Sequence, residues 1–222
     1  VHILLCRWEM GALTDWLGTQ DALALRTTLL GRTPYAVPSR AKAAITSCDW
    51  RRFDELLSQG PPDTLVVAHG HDLPLSPPRS LSELRALFER GMGVAVRKPE
   101  RHSAALSKLS EAFAHDIPGE QRVIVFATPA GHSGFGWHYD AEDVFIVQTE
   151  GDKEYFFRPN TVTERVGRGE PMDFPTYRLE RSPLMSCRLL PGDLLYLPRG
   201  YWHAARAHAD ALSISIGVFP VS

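Results

Sequence analysis

Residues 131–157 read GHSGFGWHYDAEDVFIVQTEGDKEYFF. Two runs at its end, DVFIVQT from Asp143 and KEYFFR from Lys153, are short and rich in β-branched and aromatic residues, with Gly151 and Asp152 between them. That is the signature of strands joined by a tight turn. The pattern recurs on both sides, in RVIVFAT, MSCRLL, DLLYLP, HAARA and ALSISIGV, each bounded by Gly, Pro or Asp. Many short strands with such punctuation predict a sandwich or barrel.

The chain changes character near residue 120. Before it, helical spacing dominates. In SCDWRRFDELLSQG, Asp49 is placed as an N-cap, Trp50, Phe53, Leu56 and Leu57 share one face, and Gly60 is the stop. SLSELRALFERG predicts a capping box of Ser80 with Glu83, ending at Gly91. HSAALSKLSEAFAHDIPG repeats the logic with Leu106, Leu109 and Phe113, closed by Pro118 and Gly119. TLVVA and GVAVR are strand candidates between these helices. The expected architecture is one unit over residues 1–222, mainly β with α. A helical and mixed N-terminal part (1–120) packs on an antiparallel β-barrel core (121–222).

Composition narrows the function classes. With 222 residues, 44% hydrophobic and a formal net charge of −2, the chain resembles an ordinary globular protein with no global attraction to nucleic acid or anionic membrane. The basic stretch containing Arg32, Arg40, Lys42, Arg51 and Arg52 reads as solvated surface. The three cysteines, Cys6, Cys48 and Cys187, form no C-x-x-C pair, which favours a reducing, cytoplasmic setting. No apolar run approaches the roughly 18 residues that span a bilayer. The opening VHILLCRWEM lacks the features of a signal peptide, and its first residue, Val1, suggests a trimmed start. The sequence sets no oligomeric state.

His138 and Asp140 stand two apart at the mouth of a strand-like run, so their side chains project to one side, about 6.6 Å apart along the backbone. LLPGDLLYLPRGYWHAARA supplies His203 after a Pro-Arg-Gly turn. Two histidines and one carboxylate make the facial triad typical of non-heme Fe(II) oxygenases, whose open positions accept a 2-oxo acid and dioxygen. Lys153 is predicted on a strand face shared with Tyr155 and Phe157. A cation inside a barrel is costly unless it meets an anion, and the far carboxylate of 2-oxoglutarate is such an anion.

The run ATPAGHSGFGWHYDAEDVFIVQTEGDKEYFF followed by LLPGDLLYLPRGYWHAA closely resembles the Jumonji-C, cupin-type 2-oxoglutarate oxygenases, and is similar to the ribosomal-protein hydroxylases among them. The likeness extends upstream through GMGVAVRKPERHSAALSKLSEAF and covers most of the chain from about residue 30 onward. It implies a double-stranded β-helix, the jelly-roll or cupin barrel, with Fe(II) held by His138, Asp140 and His203. It also implies 2-oxoglutarate as co-substrate on Lys153, with Thr128 of the TP-x-G loop near it. Ser213 and Ser215 share a face of the last strand, where Ala211 takes a family hydroxyl position. Ile124 and Phe126 stand where the family often carries Asn and Tyr, and Trp137 where it often carries Pro.

The activity so implied is hydroxylation of a protein or peptide side chain, with O2 consumed and succinate and CO2 released. The alternatives are a hydroxylase of a small molecule or natural-product intermediate, and a metal-binding cupin sensor without turnover. Other motifs point less far. AHGHD (His69, His71, Asp72) has chelating spacing but reads as a loop without a third ligand. GHSGFG is neither a nucleophile elbow nor a dinucleotide fingerprint, because Phe135 replaces the needed Gly and a strand follows. His132 reads as a shaper of the entrance loop. Trp137, Tyr139 and Trp202 either line a cleft or keep the ligands dry, and Arg199 is either a turn residue or a cleft charge.

Overall fold

The computed structural model describes residues 11–61, 63–162 and 177–220. Cys6, the opening decapeptide and the two final residues lie outside them. The helices are α1 (Ala12–Leu17), α2 (Thr19–Ala24), α3 (Lys42–Ile45), α4 (Trp50–Ser58), α5 (Leu81–Phe88) and α6 (Ala104–Asp116). The strands are β1 (Tyr35–Val37), β2 (Thr64–Ala68), β3 (His71–Leu73), β4 (Gly93–Arg97), β5 (Gly119–Thr128) and β6 (Asp143–Glu150). They continue as β7 (Lys153–Arg158), β8 (Met185–Leu189), β9 (Leu194–Leu197), β10 (Trp202–Ala207) and β11 (Ala211–Pro220).

Two antiparallel sheets result. The larger has eight strands in the order β1-β9-β6-β11-β5-β4-β2-β3, and the smaller has three, β10-β7-β8. β6 belongs to the larger sheet and β7 to the smaller, so Gly151 and Asp152 form a corner rather than a hairpin. An isolated bridge between His138 and His203 adds a rudimentary fourth strand to the smaller sheet. This is the double-stranded β-helix.

Each face of the large sheet has its own cover. Val123, Val125, Ala127, Phe145, Val147, Ile214 and Ile216 are buried with helix residues Leu13, Trp16, Phe53, Leu106 and Phe113. The alternate residues Val144, Ile146, Leu195 and Leu197 meet Tyr155, Phe157 and Leu189 of the small sheet. Covering both faces explains why β6 is buried along nearly its whole length, a run of apolar residues where a half-exposed strand would alternate.

The helix caps form as their residues dictate. Asp49 accepts from Arg52 N at 2.7 Å, and Ser80 and Ser103 cap α5 and α6 in the same way. The box at α5 is skewed: Glu83 reaches back past Ser80 to accept from Arg79 N at 2.7 Å.

Two expectations need correction. The change of character at residue 120 is not a boundary of the sheet, because β1, β2, β3 and β4 extend it on both edges. AHGHD is not an open loop. His69 and Gly70, with φ of 52° and 86°, form a two-residue turn, and Ala68 pairs with His71 and Val67 with Asp72. Among the described residues no metal-binding cluster includes them. Of the cations in the basic stretch, Arg40 pairs with Asp21 and Arg51 with Glu55 on the exposed surface.

Candidate metal centre

The centre is built where the small sheet frays. His138 N donates to His203 O at 3.1 Å, and His203 N returns a bond to His138 O at 2.7 Å. A mutually hydrogen-bonded antiparallel pair sends both side chains to one face, and the two imidazoles lie 4.1 Å apart between ring centres. Asp140, two residues along, falls on the same side. The Pro-Arg-Gly turn is tied to it: Gly200, at φ 80°, donates its N–H to Asp140 O at 2.8 Å. One ligand atom from each of His138, Asp140 and His203 lies within 4.8 Å of the others. His203 Nε2 and Asp140 Oδ2 are 3.4 Å apart.

The donor set suits a divalent cation. His138 Nδ1 lies 2.8 Å from Gly136 O, and His203 Nδ1 lies 3.0 Å from Tyr201 O. A carbonyl only accepts, so the proton of each ring sits on Nδ1, and a neutral imidazole then presents the Nε2 lone pair to an ion. His203 is held neutral. Burial first, and then His138, push its pKa down to about 4 against the pull of Asp140. The Nε2 lone pair of His203 and the Asp140 carboxylate thus face one space, with the His138 ring beside them.

A further anchor lies behind the ligands. Asp143, 4% exposed, accepts from Tyr196 OH at 2.6 Å and from Arg199 N at 3.3 Å. Tyr196 OH in turn accepts from Gly31 N at 2.6 Å. Arg199 is thus a turn residue through its backbone. The Asp143 carboxylate was missed by sequence reasoning because its partners come from distant segments.

The ligands open onto a cavity lined by Phe126, Thr128, Val144, Lys153, Tyr155 and Ser215, among others. Lys153 is 3% exposed, and its Nζ donates to Ser213 Oγ at 3.0 Å and lies 5.8 Å from the centre of the Phe126 ring. Burial alone lowers its pKa from 10.5 to about 7. Thr128 and Ser215 stand on the cavity wall. Ser213 is 1% exposed; its hydroxyl oxygen accepts from Lys153, and the hydroxyl also bonds the Tyr155 side chain. Ala211 is buried opposite Thr128.

The aromatic flank divides. Trp202 is fully buried and packs edge-on against Tyr139 and Tyr177, so it does not line a cleft. Trp137 stacks on Tyr177 at 4.2 Å, a pairing invisible in local sequence. His132 is exposed on the entrance loop.

The chain is 32% identical over 132 residues to the bifunctional lysine-specific demethylase and histidyl-hydroxylase NO66 of Dictyostelium discoideum, which covers 59% of this chain and 26% of that protein. It is 28% identical over 157 residues to human ribosomal oxygenase 1, covering 69% of this chain and 24% of that one. The chain thus spans about a quarter of the length of these two relatives. The ribosomal oxygenase YcfD from Escherichia coli, solved with cobalt and 2-oxoglutarate, superimposes with a TM-score of 0.65 at 18% identity, over 92% of this chain and 53% of that one. The JmjC domain family profile matches residues 100–222, which takes in every ligand candidate, Lys153 and all but the first four strands of the fold. On that match the chain belongs to the JmjC domain family.

Proposed function

We propose that this chain is an Fe(II)- and 2-oxoglutarate-dependent oxygenase that hydroxylates a side chain of a protein or peptide. The observation that carries the proposal is that buried Lys153 shares one cavity with His138 and His203. A lysine so buried, whose hydrogen-bond partner among the described residues is the Ser213 hydroxyl, is a place for an anion to bind.

His138, Asp140 and His203 would hold the metal, leaving coordination positions open for other ligands. Bound iron would supply the oxidising chemistry that couples decarboxylation of 2-oxoglutarate, to succinate and CO2, to insertion of one atom of O2 into a C–H bond. The chain's own residues do the rest. Lys153 would pair with the far carboxylate of 2-oxoglutarate. Ser213 orients its ammonium. Thr128 and Ser215 offer hydroxyls along the wall, and Phe126, Val144 and Ile146 exclude water from the reacting end. Ile124 and Phe126 offer no polar contact, so more of the co-substrate's binding falls to Lys153.

The printed names of the relatives, a histidyl-hydroxylase and a ribosomal oxygenase, support a protein substrate. The free thiols Cys48 and Cys187 support a reducing, cytoplasmic setting as part of the same proposal. The test is incubation with Fe(II), 2-oxoglutarate, air and a purified ribosomal-protein fraction, followed by mass spectrometry. We expect a one-oxygen gain on a substrate, matched by succinate and abolished in Asp140→Ala. Oxygen gain equal in wild type and Asp140→Ala, or none in wild type, would count against the proposal.

A further inference from the structure

Outside the inner cavity, a second hollow of about 420 Å³ reaches the metal ligands from the open side. Its wall includes His138 and Asp140, three cations (Arg97, Lys98 and Arg122) and two acids (Asp63 and Glu142). Two of the cations are already matched. Lys98 Nζ lies 3.3 Å from Asp63, and Arg122 lies 3.2 Å from Glu142. Among the described residues Arg97 alone of the three has no acidic partner.

The sheet register fixes where Arg97 sits. Arg97 pairs with Ile124, Ile124 with Ser215, and Ser215 with Ile146. Directly paired residues share a face, so Arg97 lies in one cross-strand row with two side chains of the inner cavity wall, on the face turned away from the helices. Its neighbour Val96 points the other way, into the helix-covered core. Arg97 is exposed, yet the wall beside it, formed by Ile124, Phe126 and Phe135, is apolar and removes part of the water that would screen a charge. Lys153 already stands in the inner cavity for the co-substrate, which leaves Arg97 for something else.

We infer that Arg97 is a specificity-determining residue, and that the substrate carries an anionic group, carboxylate or phosphate, a side-chain length from the carbon that is oxidised. A guanidinium offers a planar, two-pronged fork that matches either group. This inference rests on the oxygenase reading only for the word substrate; the preference itself is a matter of binding.

The test uses Zn(II)-loaded protein and an immobilised library of random peptides, run with and without 2-oxoglutarate, and with a second library containing phosphoserine. Wild type should enrich Asp and Glu at one position by about fivefold, the size of one partly screened ion pair. Arg97→Gln should lose that preference, and Arg97→Glu should turn it towards Lys and Arg. Lys98→Gln, whose parent residue is already paired with Asp63, should keep it. Stronger enrichment of phosphoserine at the same position would identify phosphate as the group. No acidic preference in wild type, or the same preference in Arg97→Gln, overturns the inference. So does a loss of 2-oxoglutarate affinity in Arg97→Gln, which would assign Arg97 to the co-substrate. Failure of wild type to bind 2-oxoglutarate would instead strike the oxygenase reading, and leaves the peptide preference to be read from the arm without it.

Discussion

Lys153 on β7 reaches across the barrel to Ser213 on β11, Nζ to Oγ at 3.0 Å, and so ties the small sheet to the large one with a cation that meets no carboxylate among the described residues. A neutral hydroxyl offsets little of the cost of burying an ammonium. Burial therefore favours the neutral amine, and an anion entering the cavity would restore the charge.

That relationship predicts a pH dependence. The folded pKa of about 7 lies below the ordinary 10.5, so between those values the folded protein binds fewer protons than the unfolded chain. Stability of the metal-free protein should then rise with pH above about 7, by at most ~1.4 kcal/mol per unit, and be independent of this group below it. Denaturant midpoints at pH 7 and pH 9 check this. Lys153→Met should show the smaller increase; equal increases in the two proteins would mean that the lysine titrates normally.

Removing a metal ligand should separate binding from folding. His138→Ala, Asp140→Ala and His203→Ala are each expected to weaken Co(II) or Fe(II) binding by well over tenfold. His138 and Asp140 are only half-buried, so their variants should keep the wild-type circular dichroism and unfolding midpoint. Metal titration followed by absorbance, with thermal melts alongside, measures both. Wild-type affinity in the Asp140→Ala protein would remove the carboxylate from the ligand set.

Asp143 should behave as a brace for the ligands. In Asp143→Ala the Tyr196 hydroxyl and Arg199 N–H lose a buried acceptor, which costs about 1–3 kcal/mol. Because Arg199 belongs to the turn that leads to His203, metal affinity should fall with it, while Asp143→Asn recovers most of both losses. An unaltered Co(II) spectrum and affinity in Asp143→Ala would show that the turn holds itself.

Gly151 occupies the corner where the chain leaves the large sheet for the small one. Its φ is +61°, and an added Cβ would stand 2.1 Å from Asp210 O. Gly151→Ala combines left-handed strain with a backbone clash, so a loss of about 2 kcal/mol or more is expected in chemical unfolding. A loss of only a few tenths would mean that the corner can open.

Much of this molecule was legible in its sequence because the informative residues are local. His138 and Asp140 share a strand face by period two, and the Pro-Arg-Gly turn announces His203. Lys153, Tyr155 and Phe157 fall on one face and are all buried, as alternation predicts. The caps of α4 and α5 were legible in Asp49 and Ser80. What could not be read depends on pairing across distance. The strand β1 is three residues long and earns its place only by matching Tyr35–Val37 to Leu194–Tyr196. The helices α1 to α3 are four to six residues each, too short for a periodic pattern to show. The Asp143–Tyr196–Gly31 chain, the Trp137–Tyr177 stack and the row that places Arg97 beside Ile124 all join segments that local sequence keeps apart. Ser213 was expected to face the co-substrate. Its 3.0 Å contact with Lys153 joins β11 to β7 and is likewise not written in local sequence.

The most direct test is anaerobic. Fe(II) and then 2-oxoglutarate would be added to wild type and Lys153→Ala, and the visible charge-transfer band of a chelated co-substrate followed by titration. The account predicts a band in wild type, and in the mutant the same band only at 2-oxoglutarate concentrations roughly a hundredfold or more higher, the consequence of leaving a carboxylate unpaired in a buried site. A protein that binds iron but shows no band, or a mutant that titrates like wild type, would contradict the claim that this barrel holds 2-oxoglutarate on Lys153.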